Sequence, residues 1–372
     1  MLRILSICYE YPPLGGGAAK VVAGLLGTLD PLEVHVDLVT MWYPGLPWKE
    51  SCTGFNIYRI PCIRTSQSVC FVWEMPLYLV FALPVLVGLV LKHRYQLNHT
   101  HFIFPDGVLA FLLRGLTGLP YVITAHGSDV PGYNPNRFTR LHHYLKPFWK
   151  QVVRHAQAIV CPSESVEKLI DGELPEARTT LIPNGLDLQK FVPDREKRNR
   201  VLVVTRMFER KGIQYLLTAL EHLEHDCEVH IVGDGPYLPI LKGQVHDKNL
   251  DVSFWGFLDN QSTEIRDLYE TSRIFIFPSE AENFPIVLLE AMAAGMAIIT
   301  TYGTGCAEVV GDAAVLVKPK DAHDICEALK MLIENPEHAS RLGQRARARL
   351  EVHFSWQNVA AQYLALYRQL ID

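Results

Sequence analysis

Short apolar runs bounded by turn-forming residues recur along this chain, at residues 3–8, 34–40, 56–60, 96–100, 121–124 and 158–161. Helical stretches lie between several of them, which is the pattern of a doubly wound α/β sheet. After the turn-forming Pro183-Asn184-Gly185 the pattern restarts at 200–204, 228–232, 252–255, 274–277 and 297–300, so a second sheet of the same kind is expected. Residues 75–91 (MPLYLVFALPVLVGLVL) carry no charge and approach the length of a membrane span. Pro76, Pro84 and Gly88 punctuate this run, and Glu74 and Lys92-His93-Arg94 flank it, so a buried or membrane-facing helix of the N-terminal domain is expected. At the C-terminus, Trp356, Val359, Ala360, Tyr363, Leu364, Leu366 and Tyr367 fall on the stripe of a docked helix.

The length of 372 residues exceeds a single core, and 49% hydrophobic with 20% charged residues is ordinary for a globular protein. Two domains follow. The net charge of −5 divides as about +2 up to Gly185 and −7 beyond it. No strong basic excess is present, which argues against a nucleic-acid partner. The eight cysteines are dispersed without a CxxC pair, which gives no zinc ribbon or disulfide framework and fits a reducing cytosol. Residues 3–9 run directly into Glu10 and two prolines, the reading being a first strand rather than a signal peptide. Lys146, Lys150 and Arg154, at i, i+4 and i+8, form a basic ridge. It is read either as a solvated face or as a surface for an acceptor or anionic membrane.

The stretch PSEAENFPIVLLEAMAAG, residues 278–295, holds the sharpest chemistry. Pro285 suits the first position of a helix, leaving free N–H groups near Phe284, Ile286 and Val287 as an anion-binding end. Glu282 then lies before the helix and Glu290 over its second turn. Carboxylates at both ends of an anion site suit a ligand with central phosphates and flanking hydroxyls, the layout of a sugar nucleotide. Gly15-Gly16-Gly17 follows the first strand and opens a helix, where backbone can approach a phosphate. Neither this run nor Gly233-Asp234-Gly235 extends to GxGxxG, which argues against a nicotinamide oxidoreductase. Arg206 and Lys211 sit beyond the first strand of the second sheet, where two cations can neutralise a departing diphosphate. His126 ends the strand at 121–124. His99 and His101 share one strand face, but further metal ligands cannot be matched in order, leaving a structural or acceptor-side role.

YPPLGGGAAK, TAHGSD, IPNGLD, Arg206 to Lys211-Gly212, VGDGP, WGFLDN, the paired-glutamate segment and FSWQNVAAQYLALY occur in that order. The chain thereby resembles, over its whole length, the retaining glycosyltransferases of family 4. The resemblance implies the GT-B architecture, two Rossmann-like domains facing across a cleft with the last helix crossing back to the first. The expected boundaries are 1–183 for the acceptor domain, 184–355 for the donor domain and 356–372 for the returning helix. It implies catalytic roles for His126, Arg206, Lys211 and Glu282. Donor contacts are implied at Gly16, Gly17, Asn184, Gly233, Phe257, Asn283, Phe284, Pro285, Ile286 and Glu290, with Glu282 on hexose hydroxyls and Glu290 on the ribose. Glu282-Asn283-Phe284-Pro285 departs from the commonest family form, in which glycines stand for Phe and Pro, and this bears on donor identity. The activity so implied is retaining transfer of a hexose from a UDP- or GDP-sugar to a sugar or lipid-linked acceptor, with no cofactor and no metal. A sugar-nucleotide-binding partner without turnover is the rival reading, disfavoured by the intact glutamate pair.

Overall fold

The computed structural model describes residues 1–67, 70–133, 139–193, 195–223 and 226–371. The strands are β1 (Leu2–Ile7), β2 (Val34–Met41), β3 (Lys49–Ser51), β4 (Phe55–Ile60), β5 (Leu97–His101), β6 (Tyr121–Thr124), β7 (Ala158–Cys161), β8 (Thr179–Leu181), β9 (Arg198–Val204), β10 (Glu228–Val232), β11 (Ser253–Gly256), β12 (Ser272–Phe277), β13 (Ala297–Thr301) and β14 (Val315–Val317). The α-helices are α1 (Gly17–Thr28), α2 (Met75–Lys92), α3 (Asp106–Thr117), α4 (Thr139–His155), α5 (Glu164–Glu173), α6 (Ile213–Leu220), α7 (Leu238–Asp247), α8 (Thr263–Thr271), α9 (Ile286–Ala293), α10 (Gly305–Val310), α11 (Ala322–Glu334), α12 (Pro336–His353) and α13 (Trp356–Ile371).

They form two units, Met1–Gly185 with Trp356–Asp372, and Leu186–Ser355. The first holds an eight-stranded sheet in the order β3-β4-β2-β1-β5-β6-β7-β8. All its ladders are parallel except β3 on β4, with Leu2 opposite Val34 and Ile4 opposite Leu97. Strands buried on both faces need continuous apolar runs, and β6 and β7 are buried at every position. Tyr78, Ala82, Leu86 and Leu89 form the inward row of α2, which helps close one core of this unit. Val72–Lys92 is long and apolar enough to cross a membrane, yet a third of it is buried within the fold. On the opposite sheet face α13 lies on α1 and β5, with Trp356, Val359, Tyr363 and Tyr367 inward.

The second unit is a six-stranded parallel sheet in the order β11-β10-β9-β12-β13-β14. Its registers pair Glu228 with Arg200 and Ile274 with Ala297. Phe275, Ile276 and Phe277 of β12 are fully buried between helical layers. Truncating such a phenylalanine costs about 3–5 kcal/mol. Helix starts follow sequence chemistry: Ser262 accepts the Ile265 N–H, Asp321 those of His323 and Asp324, and Asn335 that of His338 ahead of Pro336. Among the parallel strands of each sheet the order reverses once, between β1 and β5 and between β9 and β12. Open α/β sheets bind ligands at the carboxyl ends of strands beside such a reversal.

Candidate functional site

In the Leu186–Ser355 unit the reversal brings together the segments leaving β9 and β12. The first ends in a short 3-10 turn, Glu209–Lys211, and buries Lys211. The second is the loop before α9, anchored by the Glu280 N–H to the Arg210 carbonyl (2.8 Å) and the Gly305 N–H to the Glu282 carbonyl (2.9 Å). Lys211 Nζ makes an ion pair with Glu282 Oε1 in which both side chains are close to nine-tenths buried. Ser279 Oγ donates to the same oxygen at 2.8 Å, and the Phe277 ring lies 5.3 Å from the ammonium. Arg206 is exposed two residues beyond β9, and no carboxylate pairs with it among the described residues. Its loop is clamped by Gly233: at φ +133° a Cβ there would fall 1.7 Å from the Thr205 carbonyl oxygen, so the residue after β10 must lack one.

Pro285 stands one position earlier than its sequence suggests. Its φ of −75° is helical but its ψ is 113°, which makes it the N-cap residue and starts α9 at Ile286. The Leu288 N–H closes on the Pro285 carbonyl at 3.1 Å. The Ile286 and Val287 N–H groups have no acceptor among the described residues, leaving a positive helix end. Asn283 is buried and Phe284 half-buried, its ring 5.6 Å from Phe354. Glu290, one turn further on, is buried with three partners: Lys190 Nζ in an ion pair, Asn260 Nδ2 at 2.9 Å and Tyr269 Oη at 3.0 Å. Burial and then the Glu290 charge push the Tyr269 hydroxyl far above its usual range, so it remains a donor. Lys190, Asn260, Tyr269 and Ser279 escape the sequence reading because folding alone brings the first three to Glu290. Phe257 is largely exposed beyond β11.

In the other unit the reversal joins the ends of β1 and β5. The Tyr9 N–H donates to Asp106 Oδ2 at 2.8 Å and the Tyr9 ring lies 5.0 Å from Phe102. Gly16 caps α1 and Gly17 begins it, so the first-turn N–H groups open at this strand end. His126 follows β6, where its N–H donates to Asp129 Oδ1 at 3.0 Å and its Nε2 lies 3.4 Å from His101 Nδ1. His99 and His101 do share a face, with rings 4.2 Å apart. His99 contacts Tyr367 Oη at 2.6 Å and Thr124 Oγ1 at 2.8 Å. Burial pushes His99 and His126 down to about 3, which keeps both neutral, while it pushes Asp129 up to about 6. Asn184 is buried at the end of this unit. Of the basic ridge on α4, Lys146 pairs with Glu173 at 2.6 Å and Arg154 with Glu176 at 2.6 Å, so two of its three charges meet carboxylates.

Two family models match, one described as Glycosyltransferase Family 4 over residues 15–190 and one as Glycosyl transferases group 1 over residues 187–349. The chain belongs to the family 4 glycosyltransferases. Over 377 residues, all of the chain and 99% of the relative, it is 25% identical to an uncharacterized glycosyltransferase of Methanocaldococcus jannaschii. It is 24% identical to N-acetyl-alpha-D-glucosaminyl L-malate synthase of Bacillus anthracis, covering 100% of the chain and 97% of that protein. Among solved structures, sucrose-phosphate synthase from Thermosynechococcus elongatus aligns with a TM-score of 0.83 at 24% identity, covering 100% of this chain and 99% of that one. Anabaena HepE in complex with UDP and glucose aligns at 0.74 and 18% identity, covering 99% and 100%. The fold is thus that of the GT-B glycosyltransferases, and the protein is a transferase of that family.

Proposed function

We propose that this glycosyltransferase moves a hexose, with retention at the anomeric carbon, from a nucleoside diphosphate sugar to a hydroxyl of a sugar or lipid-linked acceptor, without a metal ion. The observation that carries the reading is the buried Lys211–Glu282 pair, set at the strand reversal beside the open N-terminus of α9. A diphosphate lying there takes Lys211 Nζ, Arg206 and the Ile286 and Val287 N–H groups, a field that stabilises the leaving group as its charge grows. Glu282, released from Lys211, accepts hydrogen bonds from hexose hydroxyls. Glu290, oriented by Lys190, Asn260 and Tyr269, accepts those of the ribose. Burial keeps His126 of the other unit neutral.

In the step itself the acceptor hydroxyl oxygen bonds to the anomeric carbon as the bond from that carbon to the phosphate oxygen breaks. The hydroxyl proton passes to the departing phosphate on the same face, so no enzyme carboxylate becomes a nucleophile. UDP is the favoured nucleotide because the similar Anabaena HepE is known in complex with UDP and glucose, with GDP the alternative. Eight free thiols accord with a cytosolic site of action. The test is the anomeric configuration of the product by NMR, with and without EDTA. Retained configuration unaffected by EDTA is expected, and an inverted product or a chelator-sensitive rate would overturn the mechanism.

A further inference from the structure

The outward faces of α2 and α3 have no role in the transferase reading. Val80, Phe81, Val85 and Leu91 of α2 and Leu112 and Leu116 of α3 are exposed, with Val80 at 67%, Leu116 at 65% and Leu91 at 79%. A helix whose mean hydropathy reaches 2.1 ordinarily hides most of its surface, yet only a third of the Val72–Lys92 stretch is buried. The apolar surface is continuous between elements. A groove of about 770 Å³ runs along Leu83, Phe111, Leu112 and Leu116 and ends among Arg114 and His155. Ahead of α2, Phe71 and Trp73 are exposed and stacked, their rings 6.4 Å apart at 14°. Beyond α2 stand the exposed Lys92 and Arg94.

Charge selects the occupant. Between residues 75 and 128 the one acidic side chain is Asp106, which is fully buried, so α2 and α3 themselves present cations and no exposed carboxylate. A two-fold pairing of this face with itself would bring Lys92, Arg94 and Arg114 to a partner's α2 and α3, which carry no exposed carboxylate to offer. An anionic bilayer matches every feature: acyl chains for the aliphatic row, an interfacial position for the indole and phosphates for the cations. We infer that the α2–α3 face is a docking surface for anionic membrane, on which the enzyme lies without spanning. This inference is independent of donor, acceptor and mechanism.

The test is flotation of the full chain with vesicles of phosphatidylcholine alone or mixed with phosphatidylglycerol. Wild-type protein should float with the anionic vesicles at least tenfold more than with the neutral ones, and salt should weaken binding. Val80→Asp with Phe81→Asp should lower the bound fraction at least tenfold. Lys92→Glu with Arg94→Glu should do the same while leaving the core untouched, and therefore reports even if the first pair disturbs folding. Ile240→Asp, an exposed apolar position in the Leu186–Ser355 unit, should float like wild type. Wild-type protein that stays down with both vesicles, or charge-reversed protein that floats unchanged, overturns the inference. Light scattering that finds a dimer dissolved by Phe81→Asp, with no flotation, would assign the face to a second copy instead.

Discussion

Replacing Lys211 with methionine should cost more stability than an exposed lysine would. The side chains of Lys211 and Glu282 are 11% and 10% exposed, so deleting the ammonium strands a carboxylate that water reaches poorly. Breaking a buried pair from one side costs about 3–5 kcal/mol. Ser279 Oγ continues to donate to Glu282 at 2.8 Å, which places Lys211→Met near about 3 kcal/mol. Glu282→Gln, which strands the cation, should cost about 2–3 kcal/mol. In the double variant neither charge is stranded, so its cost should fall short of the summed singles by at least about 2 kcal/mol. Hydrogen exchange of the β9 and β12 amides reads the opening free energy of this unit directly. Additive singles would refute the coupling.

Lys190→Ala leaves the buried Glu290 with Asn260 and Tyr269 alone and should weaken nucleotide binding at least tenfold, with Lys190→Arg recovering part of it by calorimetry. Gly305→Ala would set a Cβ 1.7 Å from the Asn283 carbonyl oxygen, forcing the Glu282–Pro285 loop to shift. Turnover should drop at least tenfold, with about 1–3 kcal/mol lost in stability by chemical denaturation. His99, held at about 3 by burial and then by His126, has a folded value below its unfolded one. Its contribution is complete above about pH 6.5 and is lost as pH falls, at about 1.4 kcal/mol per pH unit. The melting temperature of wild type should therefore decline from pH 6.5 to 4.5 more steeply than that of His99→Gln. Asp129, pushed up to about 6, has the opposite sign: its contribution is present below about pH 3.9 and is lost as pH rises through about 6, so Asp129→Asn should steepen that same decline.

Both sheets were legible because their central strands are buried on two faces and read as apolar runs, with ends that differ by a residue or two. The strands the sequence reading leaves out are β3, β8 and β14, each three residues long. Lys49, Glu50 and Ser51 are exposed on a sheet edge, so no apolar alternation marks them. Helix α9 was visible from its run of apolar residues broken only by Glu290, but Pro285 fixes only φ, and the extended ψ that makes it a cap comes from the loop around it. Glu282 and Glu290 stood out as a spaced pair. That Glu282 is bound by Lys211, 71 positions away, and Glu290 by Lys190, 100 positions away, follows from sheet order and lies beyond any local pattern. The basic ridge of α4 was real as spacing, whereas its neutralisation by Glu173 and Glu176 depends on where α5 packs.

The central claim is that the β9–β12 reversal holds a nucleoside diphosphate sugar through Lys211. It is tested most directly by calorimetric titration of UDP, GDP and ADP, then their hexose conjugates, into wild-type and Lys211→Ala protein. Saturable binding of one nucleotide series, weakened at least tenfold by Lys211→Ala, is the predicted result. Equal affinity in the two proteins, or no nucleotide bound by folded wild type, would contradict it.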